Sequence, residues 1–236
     1  MSPALISPDG RWWWDGIRWR SRLVEGELDR FWFTSTPDWL ARVAVTGLIA
    51  LIPVAGTMNL FGWTLVATDM VRQRWRELPP AGFHYMERGV APFLITFFYG
   101  LAFLLVLATL ITAGFVFLVF QPSRTVLAIA AWVLAALALL CWWLISLYLF
   151  AAVLIGSDTL GLGRAFNPMR LFALAKRNSN VSVHVAVTYG LASLVLGLAA
   201  AVVGSIVPFG GIAVSIALPA ILAMLVPLLG TFRTEV

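Results

Sequence analysis

Cysteine and histidine are nearly absent from this chain: Cys141 is the single thiol, and His84 and His184 are the two imidazoles. One cysteine cannot close an internal disulfide. A metal site needs three or four convergent ligands, and neither histidine has a cysteine or carboxylate at ligand spacing, so no metal is expected. Charge is scarce as well. Asp, Glu, Lys and Arg make up 11% of the 236 residues, against roughly 25% in soluble domains. A chain this poor in charge cannot coat a soluble globule of its own size. The first thirty residues mix Asp, Glu, Arg and Trp without an apolar run, which is not the pattern of a signal peptide.

Catalytic constellations are missing too. Thr46, Thr64, Ser146, Ser193, Ser205 and Ser215 lie in apolar blocks with no His or Lys base nearby, as a nucleophile would require. Gly161-Leu162-Gly163-Arg164 lacks the strand, third glycine and trailing acid of a dinucleotide site and is expected to be a loop. Cys141, beside Trp142-Trp143, is expected to be buried packing. An enzyme is therefore not expected, and no cofactor is implied.

Apolar residues are abundant, at 61% of the chain, with a mean hydropathy of +0.93. They form five blocks, roughly 43–68, 93–120, 126–156, 181–206 and 212–230, and a crossing helix needs about 20 apolar residues. The net charge of +5 comes from basic residues lying between the blocks. That distribution is a membrane-topology signal, so anionic lipid headgroups rather than nucleic acid are the expected counterpart. Six arginines precede the first block (Arg11, Arg18, Arg20, Arg22, Arg30, Arg42) and four follow it (Arg72, Arg74, Arg76, Arg88). Basic loops stay in the cytoplasm, and the two flanks agree only if the first block turns back at Pro53-Val54-Ala55-Gly56. The expectation is six membrane segments with both termini cytoplasmic, in a prokaryotic cytoplasmic membrane.

The two halves of that first pair are short. Val43 to Ile52 makes about 15 Å of helix, against a hydrocarbon core of about 30 Å, so the pair either spans or re-enters. Irregular backbone at depth is tolerated only where protein buries it or water reaches it. Pro53, Gly56 and Asn59 are therefore the cavity candidates, with helix capping the alternative role for Asn59. Charge inside a span usually marks a transport path, but Asp69 and Asp158 fall at block ends. Asp69, three residues before Arg72, is expected to pair with it. Val207-Pro208-Phe209-Gly210-Gly211 echoes the first turn, as an internal repeat or an ordinary helix break. Gly190, Gly197 and Gly204 recur every seven residues and suggest a helix seam or a dimer face. Pro219 and Pro227 should bend the last helix.

Outside the blocks, Asp15-Gly16 between aromatic runs signals a β-hairpin with a two-residue turn. That register pairs Trp14 with Ile17, Trp13 with Arg18 and Trp12 with Trp19, placing Trp12, Trp14 and Trp19 on one face. These three are the interface candidates, either at the membrane surface or on a protein partner. Asn167-Pro168 predicts an N-capped helix through about Lys176, lying on the cytoplasmic leaflet. The 69–77 stretch is expected to prolong the preceding helix before Leu78-Pro79-Pro80 ends it. Arg72, Arg74, Arg76, Arg170 and Arg177 are the lipid-headgroup candidates.

Two family resemblances follow from these motifs. The N-terminal Pro-Asp-Gly and Trp-Asp-Gly run, residues 8–19, resembles the short bacterial module called domain-of-unknown-function family 2510, although its usual leading Gly-Trp-Tyr is missing. From about Thr34 to Arg233 the chain is similar to the prokaryotic domain-of-unknown-function family 4013. That likeness is carried by Trp39, Gly47, Ile52-Pro53, Gly56, Gly62, Leu78-Pro79, Ala165-Phe166-Asn167-Pro168 and Leu229-Gly230-Thr231-Phe232-Arg233. Gly62-Trp63 stands where such families usually show Gly-Tyr, and Pro80-Ala81-Gly82 where an acid is expected. The likeness implies a multi-span helical membrane protein and assigns no activity.

The sequence thus predicts an all-α integral membrane protein of about six segments, divided into a Trp-rich N-terminal piece (1–33) and a helical membrane domain (34–236). A structural or interaction subunit of a membrane assembly is the first functional expectation; a transporter or lipid-handling protein is the second. Membrane lipids, and a membrane-protein partner or a second copy of the chain, are the expected contacts.

Overall fold

The computed structural model describes residues 7–8, 12–14, 19–21, 32–75, 77–206 and 210–234. Two short strands, β1 (Trp12–Trp14) and β2 (Trp19–Ser21), precede a 3-10 turn at Trp32–Ser35. Among the described residues eight helices follow: α1 (Trp39–Ala50), α2 (Ala55–Arg72), α3 (Met86–Phe120), α4 (Thr125–Leu160), α5 (Leu162–Ala165), α6 (Pro168–Arg177), α7 (Ser179–Ile206) and α8 (Gly210–Gly230). Helix α2 packs on α3, α3 on α4, α4 on α7, α7 on α8, and α8 back on α2. The ring closes on itself, and α1 lies against α2 and α8.

Among the described residues, three helices are long and apolar enough to cross a membrane: Met86–Phe120, Thr125–Leu160 and Ser179–Val202. The six expected segments are thus not reached. The first pair falls short for the reason its length gave: α1 has 12 residues, about 18 Å at 1.5 Å per residue. Residues 51–54 turn the chain back, and Val54 takes a positive φ of 65°.

Burial is uneven along the bundle. Buried side chains gather where α2, the start of α3, the end of α4, α6, the start of α7 and the end of α8 meet. Beyond that body α3, α4 and α7 continue as bare apolar rods. From residue 97 to 120 of α3 only Gly114 is buried; from 125 to 146 of α4 only Ala128, Ala131 and Ala135 are. Small residues sit in the seam while Leu, Val and Phe face outward. Lipid-facing helices pack this way, because tails solvate the large side chains and close approach of backbones holds the helices together.

Glycine sets the tightest crossing. A Cβ at Gly62 would strike the backbone of Tyr85, and one at Gly89 would strike the backbone of Met58. This crossing lays the first part of α2 beside the start of α3. From Ile95, α3 then continues for 25 residues, about 37 Å. The α1–α2 turn therefore ends low on the longer helices.

Several expectations need correction. The strands pair Trp14 with Trp19, Trp13 with Arg20 and Trp12 with Ser21, not Trp12 with Trp19, so the two-residue turn register is not adopted. Asp15, Gly16, Ile17 and Arg18 lie outside the described residues. A shift of two positions preserves side-chain alternation, so Trp12, Trp14 and Trp19 still share a face. Helix α2 stops at Arg72 instead of running through 77, and Arg74 sits at φ 64°. Gly161 to Arg164 is no loop: α5 occupies Leu162–Ala165. Cys141 is exposed rather than buried, because it faces away from the α3–α4 seam. Trp32 and Phe33, placed by sequence in the N-terminal piece, belong to the core of the helical body. Gly190 meets Leu147 of α4, whereas Gly197 faces open space, so the glycine stripe is not one seam. The capped helix is present as predicted, with Asn167 Oδ1 accepting from the Met169 amide at 3.0 Å.

Candidate functional site

Because α2 starts low on α3, it leaves a space above itself between α3, α4 and α7. There a cavity of about 530 Å³ opens, within the roughly 300–1,000 Å³ usual for small-molecule sites. Helical spacing builds its walls: Pro92, Thr96 and Tyr99 from α3, Trp142, Ser146, Phe150 and Val153 from α4, and Tyr189 and Ser193 from α7. Phe61 of α2 and Pro168 of α6 also line it. Ring packing stiffens these walls. Phe150 stacks on Tyr189 at 5.0 Å, Trp142 on Phe103 at 4.7 Å, and Phe61 meets Phe150 edge-on at 6.5 Å.

Among the described residues, no Lys, Arg, His, Asp or Glu lines the cavity. Its hydroxyls are mostly committed elsewhere. Thr96 donates to the Pro92 carbonyl (2.8 Å), Tyr99 to that of Phe166 (2.6 Å) and Ser193 to that of Gly190 (2.9 Å). Ser146 and Tyr189 line the cavity without a hydrogen bond of this kind. The space suits a long apolar body and does not suit a charge, since an uncompensated charge in such surroundings is costly.

Charges gather about one helical turn beyond the cavity, at the start of α3 and the end of α4. Arg88 of α3 holds Asp158 of α4 through two bonds, at 2.8 and 2.6 Å, and reaches Asp69 of α2 at 2.6 Å. The expected Asp69–Arg72 pair is present but long, at 3.7 Å. Arg72 turns instead to the carbonyls of Gly230 and Phe232, tying α2 to the end of α8. The chain after α2 folds back along the body. Trp63 donates to Pro79 (3.3 Å), Arg42 to Leu78, and the Leu78 amide to Thr36 Oγ1 (3.0 Å). Tyr85 donates to Pro80 at 2.8 Å. Its burial pushes the phenol above its usual range, partly opposed by Arg42.

Trp32 occupies a particular place. Its indole Nε1–H donates to the Ala223 carbonyl at 2.9 Å, in the buried interior. Pro227, inside α8, has no N–H to give the carbonyl four residues earlier. That carbonyl belongs to Ala223. The indole fills the vacancy.

The sequence-derived candidates are placed as follows. Pro53 is exposed at the α1–α2 turn. Gly56 is buried where α2 meets Ile49 and Ala50 of α1, and a Cβ would strike their backbone. Asn59 is buried and accepts the Tyr85 amide at 3.3 Å, capping α3 rather than α2. Its Nδ2, like Thr46 Oγ1, has no partner. None of Pro53, Gly56 and Asn59 lines the cavity. Trp12 and Trp19 are 45% and 48% exposed, and Trp14 meets Trp19 edge-on at 5.6 Å. Arg72, Arg74, Arg170 and Arg177 are exposed; Arg76 lies outside the described residues. On α6, Leu171, Leu174 and Ala175 are buried while Met169 and Phe172 face outward.

Sequence reasoning missed the cavity walls, the Arg88–Asp158 pair and Trp32. Helix α4 is apolar all round, so no stripe singled out Trp142, Ser146 and Phe150. Arg88 and Asp158 are 70 residues apart. For Trp32 a signal did exist, in the proline four residues beyond its acceptor. Comparison with family models, curated proteins and solved structures finds no match to this chain.

Proposed function

We propose that this chain is a non-enzymatic integral membrane protein that admits a lipid-like molecule into the cavity between α3, α4 and α7. The observation carrying the proposal is that cavity: some 530 Å³, walled by aromatic rings and, among the described residues, lined by no Lys, Arg, His, Asp or Glu. It sits on helices whose outer faces are suited to lipid. Topology supports access from the bilayer. We place α3, α4, α7 and α8 across a prokaryotic cytoplasmic membrane with both termini cytoplasmic, since the basic residues gather at one end. The pair α1–α2 then re-enters from the cytoplasmic side, with Leu51, Ile52 and Val54 exposed at its tip. The likeness to domain-of-unknown-function family 4013 agrees with a multi-span protein and adds no activity.

The test is native mass spectrometry of the protein released from nanodiscs. One lipid should remain on each chain, and filling the cavity with Ser193→Trp should remove it. A wild-type chain that emerges bare overturns the proposal. A second reading, a docking subunit of a membrane assembly, is favoured by the exposed Trp12 and Trp19 beside Trp14. It predicts co-purifying polypeptides that are lost when these three residues become alanine.

A further inference from the structure

The cavity's chemistry also narrows what it can hold. We infer that its ligand is an uncharged lipid, with an apolar chain along α4 and head oxygens accepting from Ser146 and Tyr189; this rests on the lipid-binding reading above. Three observations carry the inference. The first is the absence, among the described residues, of any Lys, Arg, His, Asp or Glu in the lining. A phosphate, carboxylate or ammonium drawn inside would lose its water without gaining a counter-ion. The Arg88–Asp158–Asp69 cluster offers no help, because its guanidinium is already held by two carboxylates.

The second observation is the hydroxyl inventory. Thr96, Tyr99 and Ser193 donate to backbone carbonyls, so each has used its one proton. Among the described lining hydroxyls, Ser146 and Tyr189 retain a donor. Ligand oxygens such as an ester carbonyl and a hydroxyl would use them, and further polar groups would go unmatched. The third is shape. The α4 lining runs from Trp142 to Leu154, about 18 Å of helix, beside the rings of Trp142, Phe150 and Tyr189. A chain fits that length better than a compact solute does.

In a bilayer the tails outside are as apolar as the cavity, so transfer of a chain yields little by itself. Selection must come from the head. A charged head is excluded and a neutral one is matched at Ser146 and Tyr189.

The experiment uses the full chain in nanodiscs containing equal mole fractions of diacylglycerol, phosphatidylethanolamine and phosphatidylglycerol of the same acyl chains, with bound lipid identified by native mass spectrometry. Diacylglycerol should be retained at one per chain and enriched at least tenfold over either phospholipid. Ser146→Ala and Tyr189→Phe should each lower that enrichment about fivefold, the usual effect of one hydrogen bond. Ser193→Trp and Ser146→Trp fill the cavity from opposite walls, so loss of bound lipid in both separates filling from misfolding of one. Equal or preferential retention of either phospholipid overturns the inference while leaving a lipid-binding protein. Retention of no lipid overturns both. Unchanged enrichment in both Ser146→Ala and Tyr189→Phe overturns the placing of the ligand oxygens.

Discussion

The bond between Trp32 and Ala223 offers the sharpest check on how this bundle is held together. Trp32→Phe keeps a ring in the site and removes the Nε1–H that reaches the Ala223 carbonyl at 2.9 Å. The loss combines one hydrogen bond with the cost of a buried carbonyl left unpaired, about 1–3 kcal/mol. Some packing is lost as well, since Trp32 is only 1% exposed. Packing and hydrogen bonding are separated by adding Pro227→Ala. Residue 227 then regains an amide proton and can close the helical bond to Ala223. In that background Trp32→Phe should cost only its packing share, so the two changes should couple by about 1–2 kcal/mol, within the range found for contacting residues. Unfolding in mixed micelles, followed by tryptophan-independent circular dichroism, measures all four corners of the cycle. If Trp32→Phe costs the same with and without Pro227, the indole does not serve the carbonyl freed by proline, and the reasoning fails.

Other consequences follow from the same contacts. Gly62→Ala and Gly89→Ala place a methyl against the backbone of the neighbouring helix and should each destabilise by several kcal/mol, as forced overpacking does; Gly197→Ala meets nothing within 4 Å and should be neutral or stabilising by up to about 1 kcal/mol, so equal effects at the three sites would refute the α2–α3 crossing. Burial raises the Tyr85 phenol above its ordinary 10.0, so folding favours the neutral form. The stability this contributes is complete below pH about 10 and is lost as pH rises through the folded-state value. Alkaline unfolding of Tyr85→Phe should therefore show a flatter decline above pH 10 than the parent, despite losing the bond to Pro80. A cysteine at Pro53, in a Cys141→Ser background, should react with a membrane-impermeant thiol reagent only from the cytoplasmic side; labelling from outside alone would make α1–α2 a spanning pair.

Much of the architecture could be read from local sequence. The α7 and α8 limits follow apolar runs, and α6 begins where Asn167-Pro168 predicts because an N-cap needs only residues two positions apart. The short first pair was also legible, since length fixes reach at 1.5 Å per residue. The hairpin register was not, because Asp15-Gly16 is one of several turns that keep the same three tryptophans on one face. The fate of 73–85 was equally hidden. A polar, proline-rich stretch reads as solvent-exposed loop, yet Leu78 is fully buried and held by Thr36 and Arg42. The placement of Trp32 shows the same limit: its acceptor lies 191 residues away.

What the sequence determined alone is the class of object: too little charge to coat a soluble surface, apolar runs long enough for a bilayer, and basic residues confined between them. These are additive properties that need no knowledge of neighbours. Tertiary structure alone decided where the interior lies. Helices that are apolar on every side carry no mark of which face meets protein and which meets lipid. Glycines at 62 and 89 set how closely α2 approaches α3, and that approach sets where α2 begins. The space left above it is a property of three helices at once. No single segment encodes it.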